Sequence, residues 1–384
     1  MNSCRKLKSI IQSMQTEMFA LLEKLVLIQS GSQNKPGLDL MAETLCPLLK
    51  DLGLGAEILP MKSCGNMVRA WNQSSLENRG ILLMGHMDTV FPKDSEFNWY
   101  KDQGEIVRGP GVMDMKGGLV TGVFALKALQ QLGILDEIPV KVLFNSDEEI
   151  GSPNSRKLIE DQARECKAAF VLEGGGLDGQ VAVGRKGKMG FELKLEGRAG
   201  HAGAAGQDKS SAVLEAAHKI IALEGLNRHP GLLVNAGVVS GGSVPNAVAR
   251  EAVIKVDFRY DHPEDESSLK KMMAEIMADS NVPGVTARLE TVSSRPAMPA
   301  TSGIKSLYSL VAGVASRCSQ KISPEFRGGV SDANFIAAMN IPVLDGMGPC
   351  GDMDHSHEEY IIRQSLPDRA LLLASSLLEC STDF

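Results

Sequence analysis

Aromatic residues make up only 4% of the 384 positions, and no apolar run is long enough to cross a bilayer. The longest apolar segment, residues 117–135, is interrupted by Lys127, Gln130 and Gln131, which suits a buried helix rather than a membrane span. Positive charge is not in excess. Lys and Arg number 40 against 47 Asp and Glu, for a net charge of −7, which argues against binding to nucleic acid or an anionic membrane. The seven cysteines (Cys4, Cys46, Cys64, Cys166, Cys318, Cys350 and Cys380) are odd in number and scattered, with no CxxC pair. Reduced, mostly buried thiols are therefore expected rather than a disulfide framework. Arg5, Lys6 and Lys8 are not followed by the apolar stretch of a secretory leader, so a cytoplasmic location is expected. The 39 glycines and 17 prolines show no period, and 43% of residues are hydrophobic, which excludes collagen-like order and disorder. At ~150 residues per domain, the length suggests two or three globular domains.

Short β-type runs at 81–85, 140–145 and 168–173 alternate with helix-like stretches, chiefly 115–133 and 155–165. Helical spacings also mark 17–30, 38–53, 303–318, 331–339 and 364–379. Continuous apolar strands alternating with helices predict an α/β domain with a mostly parallel sheet. Between about 188 and 296 the texture changes to alternating strands. The order there is strand 190–197, helix 209–225, strands 232–240 and 251–260, helix 264–279, strand 285–292. That is β-α-β-β-α-β, an α+β, ferredoxin-like pattern. The predicted domains are a discontinuous α/β parent domain, 1–187 and 297–384, and an insertion at 188–296.

Chemistry-bearing residues fall at the strand ends. His86 and Asp88 lie in GHMDTV, two apart and able to share a face. Asp114 occupies a glycine-rich loop, GPGVMDMKGG, before a helix. Glu148 and Glu149 are adjacent in NSDEEIGS, Glu173 closes a strand before three glycines, and His355 lies in DHSHEEY near the C-terminus. Each alone is an ordinary surface group. Together they imply a cation, because adjacent carboxylates repel and are costly to bury without one. Mixed His and carboxylate donors suit zinc, and five positions suit two ions sharing a carboxylate.

These motifs, in order along nearly the whole chain, resemble the dinuclear zinc exopeptidases that include glutamate carboxypeptidase, aminoacylase, acetylornithine deacetylase and succinyl-diaminopimelate desuccinylase. The resemblance implies that 1–187 with 297–384 is a zinc-exopeptidase-like catalytic, metal-binding domain and that 188–296 is an inserted dimerisation or lid domain. It also implies two Zn2+ per subunit, with Co2+ or Mn2+ as substitutes. Asp114 would bridge the ions, with His86 and Glu173 completing one site and Glu149 and His355 the other. Asp88 would orient His86, and Glu148 would be the general base. His357 follows His355 by two; His355 is preferred because the family pattern is His, three residues, Glu-Tyr, matched by Glu359 and Tyr360. Three ligand carboxylates leave one positive charge of a two-zinc centre for a bridging hydroxide, which can form near neutral pH.

The same resemblance assigns substrate binding to His201, in GRAGHAG, Asn246, in GGSVPNAVA, and Arg259, in DFR, with Gly328 and Gly329 in GGVSDAN. His201 would reach the partner's active site in a homodimer formed through the inserted domain. Ser331 and Asp332 belong to the same stretch as the two glycines. Ala249 stands where the family usually has Pro, which implies a differently shaped loop. Glu at position 173 accompanies carboxypeptidases and aminoacylases in the family. The expected activity is hydrolysis of the amide bond of a C-terminal or N-acylated amino acid with a free carboxylate, closest to the glutamate carboxypeptidase branch. The alternatives are an N-acyl amino acid deacylase and, behind it, a non-catalytic metal-dependent peptide-binding homologue. A nucleotide-binding oxidoreductase is disfavoured, since no GxGxxG or P-loop motif sits at a strand–helix turn.

Overall fold

The computed structural model describes residues 2–206 and 208–384. The chain divides into two compact units, Met1–Gly184 with Ala300–Phe326 and Ser331–Phe384, and Arg185–Pro299 with Arg327–Val330. Residues 327–330, placed by sequence in the catalytic domain, group with the second unit. The Lys186 N–H donates to the Arg327 carbonyl (3.0 Å) and Arg185 Nη1 to the Gly329 carbonyl (3.1 Å).

The first unit is built on a six-stranded sheet, in the order Gly55–Leu59, Met67–Trp71, Val140–Asn145, Gly80–His86, Cys166–Val171, Val343–Leu344. The Gly80–His86 strand runs parallel to both of its neighbours, whereas the first two strands are antiparallel additions at one edge. Every residue of Gly80–His86 and Val140–Asn145 is buried, as expected of parallel strands covered on both faces. Helix Gly117–Gln131 is apolar almost all round and is buried along most of its length. Gly118 lets its first turn meet the chain beyond the Cys166–Val171 strand, because a Cβ there would collide with the Leu172 carbonyl oxygen. Helices Ser365–Asp383 and Asn2–Ser13 pack on this layer. The latter turns Leu7 and Ile11 inward and leaves Arg5, Lys6 and Lys8 exposed.

The thiol expectation needs one correction. Cys4 and Cys318 form a disulfide, their Cα atoms 5.9 Å apart, between the first helix and the residue after helix Ser302–Arg317. Their separation of 314 residues hid the pairing from any spacing rule. The other five cysteines are free and buried.

The second unit is a four-stranded antiparallel sheet in the order Leu233–Gly241, Glu251–Tyr260, Gly187–Glu196, Thr286–Arg295. Alternate residues such as Phe191, Leu193, Ile254 and Phe258 pack with Ala216 and Leu223 of helix Ala212–Gly225 and with Leu269 and Met273 of helix Asp265–Ala278. A buried Lys219–Glu215 pair joins these helices. Lys219 donates to the Ile276 and Asp279 carbonyls, and Glu215 accepts the Asn281 and Val282 N–H groups.

Candidate metal centre

The sheet register aligns His86 with Asn145 at the carboxyl ends of parallel strands. In open α/β sheets these ends bind ligands. The His86 ring is buried. Its Nδ1 lies 3.0 Å from the Asp88 carbonyl oxygen and 3.4 Å from Asp88 Oδ1, so with Nδ1 protonated the Nε2 lone pair faces the cluster. Asp88, fully buried, does more than hold this ring. Its carboxylate accepts the backbone N–H groups of Glu148 (3.1 Å) and Glu149 (3.2 Å) and the Ser32 hydroxyl (2.8 Å). One side chain thus fixes both an imidazole and the acidic turn.

Asp114 lies between two imidazoles. Its Oδ1 is 3.0 Å from His86 Nε2, and its Oδ2 is 3.1 Å from His355 Nε2. Glu173 Oε1 approaches His86 Nε2 at 3.5 Å, and Glu149 Oε2 approaches His355 Nε2 at 3.4 Å. The cluster therefore has two halves, His86 with Glu173 and His355 with Glu149, sharing one carboxylate. His357 points elsewhere: its ring stacks on Phe97 (centroids 5.4 Å apart) beside Phe91 and Trp99. Asp354, which sequence reasoning passed over, brings an oxygen within 4.8 Å of donor atoms of Asp114 and His355.

The acidic turn is braced from below. Asp147 accepts the N–H groups of Asn154 and Ser155 and the Ser155 hydroxyl. Asp332 accepts from Asn145 Nδ2 (2.7 Å) and Ser152 Oγ (2.5 Å), so this residue of the GGVSDAN stretch tethers the turn carrying Glu148. Asp332 lies 187 residues from Asn145, and no local pattern signals the link. Beside Glu149 a cavity of about 380 Å³ opens, walled by segments 31–34 and 89–93 and by Ile150.

Electrostatics bear on whether a cation fits. Burial, then the Asp114 charge, pushes Glu173 up to about 7 and Glu149 well above the usual carboxylate range. Asp114 is buried too, yet hydrogen bonds from His355 and His86 hold it well below that range. Burial disfavours a charged His86, but Glu173, Asp114 and Asp88 outweigh it and raise the imidazole well above its ordinary value. His355 is raised to about 11 by its bonds to Asp114 and Glu149. Protons here do the work a cation would do, neutralising crowded carboxylates. Glu149 Oε1 is buried without a hydrogen-bond partner, and donor atoms of His86, Asp114 and Glu149 lie within 4.8 Å of one another. The nitrogen and oxygen donors fit one or two divalent ions of the zinc type.

In the second unit, His201 and Asn246 lie near a two-stranded bridge between Gly200–His201 and Ala247–Val248. The Ala202 N–H donates to the Asn246 carbonyl at 2.9 Å. Both residues are exposed. Arg259 is bound bidentately to Asp257 on its own strand, at 2.8 and 3.1 Å. Gly329 accepts from Arg185, and a Cβ on Gly328 would meet only open space.

Residues 82–379 match the model of peptidase family M20/M25/M40. The chain belongs to this family. It is 30% identical to carboxypeptidase G2 of Pseudomonas sp. (strain RS-16) over 366 residues, covering 93% of this chain and 88% of that protein. It is 26% identical to succinyl-diaminopimelate desuccinylase of Coxiella burnetii over 368 residues, covering 90% of this chain and 94% of that one. Among solved structures it resembles an M20 metallo-carboxypeptidase from Sulfolobus solfataricus (TM-score 0.73, 18% identity, 95% and 99% of the chains). It also resembles a dinuclear metal-binding M20 peptidase from Bacillus subtilis (TM-score 0.72, 14% identity, 97% and 99%). The M20 chain is thus a metallopeptidase or amidohydrolase of two-domain α/β architecture. Among the described residues, no helix is long and apolar enough to cross a membrane.

Proposed function

We propose that this M20 enzyme hydrolyses the amide bond linking an acyl or peptidyl group to an amino acid with a free carboxylate, in the manner of a glutamate carboxypeptidase. The observation that carries the chemistry is Asp114, whose two oxygens each face a different imidazole Nε2, with an acid beside each. In this reading Asp114 would be shared by two ions, with His86 and Glu173 holding one and Glu149 and His355 the other. Zn2+ is the proposed metal, with Co2+ or Mn2+ as substitutes. A pair of divalent ions bound there supplies Lewis acidity toward the substrate carbonyl and activates water at neutral pH.

The chain's own residues supply the rest. Glu148 follows the strand end, and its backbone is fixed by Asp88. Its carboxylate takes the proton from the attacking water and returns it to the departing amine. Asp88 keeps His86 in the tautomer that presents Nε2 inward. Glu173 aligns the chain with carboxypeptidases and aminoacylases by the resemblance, and Arg259, Asn246, His201, Gly328 and Gly329 are the proposed substrate-binding residues. Arg259 would exchange Asp257 for a substrate carboxylate, a bidentate partner of the same geometry. The similarity to a desuccinylase keeps N-acyl amino acids as the second substrate class.

A homodimer through the second unit belongs to the same proposal. Leu233, Val238 and Val239, on the edge strand Leu233–Gly241, are each more than half exposed, at 53%, 52% and 56%. An unpaired apolar edge can pair with its copy. Sedimentation of the wild-type chain tests this: a dimer is expected, and a fully active monomer would refute a role for His201 across subunits.

Substrate class is tested by assaying C-terminal glutamyl peptides and N-acyl amino acids with and without Zn2+ or Co2+. Metal-dependent glutamate release supports the carboxypeptidase reading, whereas release of other amino acids moves it to the deacylase branch. Two bound metals without turnover of any of them would refute the substrate class.

A further inference from the structure

Glu359 has no part in the chemistry described above, yet it is completely buried beside the metal centre. Its carboxylate accepts three backbone N–H groups from one loop. Oε2 takes that of Gly111 (2.9 Å), and Oε1 takes those of Met113 (2.8 Å) and Asp114 (3.0 Å). These donors surround one acceptor because Gly111 adopts φ +73°, which a side chain there would resist. Burial lowers the nearby Lys116 ammonium to about 7, an effect the Glu359 charge opposes, and Lys116 Nζ donates to the Ile28 carbonyl at 2.8 Å. Glu359 also follows His355 by four residues, so its bonds join the two segments that carry Asp114 and His355.

We propose that Glu359 is a positioning residue for the metal centre, aiming the Asp114 carboxylate by fixing the backbone on which it stands. The inference rests on the metal-centre reading above. The bonds from the Met113 and Asp114 N–H groups leave the Asp114 Cα little freedom, and the same carboxyl group sets how far the His355 segment lies from it. A glutamine at 359 keeps the size but turns an NH2 group toward at least one N–H donor, which then loses its acceptor.

The test is Co2+ titration of metal-free wild-type protein and Glu359→Gln, reading affinity and the visible absorption of bound Co2+, with thermal melting of both metal-free forms. Wild type is expected to bind two Co2+. Glu359→Gln is expected to fold, bind Co2+ about 10–100-fold more weakly and give an altered spectrum, as for groups that orient metal ligands. Unchanged Co2+ affinity and spectrum would overturn the proposal even if the variant melted at lower temperature, since the role would then be structural only. Should Glu359→Gln fail to fold, Glu359→Asp keeps the charge but draws it back by one methylene. Weakened Co2+ binding in that variant supports positioning, and wild-type binding overturns it. A wild type that binds no Co2+ would overturn the metal-centre reading itself, and this inference with it.

Discussion

His86 and His355 reach the same carboxylate from opposite sides, but they are held very differently. The His86 side chain is 2% exposed, at a strand end, with Asp88 behind its Nδ1. His355 is 55% exposed and sits in a loop at φ +61°, a left-handed conformation tolerated by few non-glycine residues. Its segment is held by a local turn, in which the Ser356 N–H and hydroxyl donate to the Met353 carbonyl, by His357 packed among Phe91 and Phe97, and by buried Glu359. A half built on sheet ends is preorganised by the core, whereas a half built on a loop depends on local contacts. The His86 half should therefore bind its ion more tightly and release it last.

The most damaging way to probe this asymmetry is to remove what the halves share. Asp114→Ala should abolish metal binding in both and reduce hydrolysis to background, measured by elemental analysis and a steady-state assay; one ion retained at full affinity would show that Asp114 is not the bridge. His355→Ala should be selective. One metal is lost, the other stays with unchanged affinity, and turnover falls by more than about 100-fold, beyond the range for orienting groups. Loss of both ions from this variant would mean that the halves do not differ. Asp88→Asn weakens the anchor of the tighter half, and kcat/KM should fall about 10–100-fold with both ions still bindable. The smallest effect is expected from His357→Ala. Losing a ring contact of about 0.5–1.5 kcal/mol should speed release of the looser ion by no more than about tenfold, followed by stopped-flow chelation.

The sequence made the strand ends legible because three largely buried strands carry their chemistry at or just beyond their ends. GHMDTV, NSDEEIGS and Glu173 all follow runs whose apolar content leaves no other role in a parallel sheet. The antiparallel strands Gly55–Leu59 and Met67–Trp71, at one side of the sheet, were not read, since each is five residues long and has no clear period. Neither was the helix Asn2–Ser13, whose basic face suggested only the start of a leader. The bracing residues escaped for a different reason. Ser32 on Asp88, Asp332 on Asn145 and Glu359 on Asp114 are contacts across 56, 187 and 245 residues, and such contacts exist only once the chain has folded. The order of the second unit was readable because strict alternation in AVIKVDFRY and FELKLEG separates the core face from the outer one.

The most direct measurement is metal content and hydrolysis of an N-acyl glutamate by wild type and Glu148→Ala in parallel. Two ions per chain are expected in both proteins, with turnover lower in Glu148→Ala by about 10²–10⁴-fold, the usual contribution of a positioned base. Full activity in Glu148→Ala, or wild-type turnover that survives complete removal of metal, would contradict a metal centre served by Glu148.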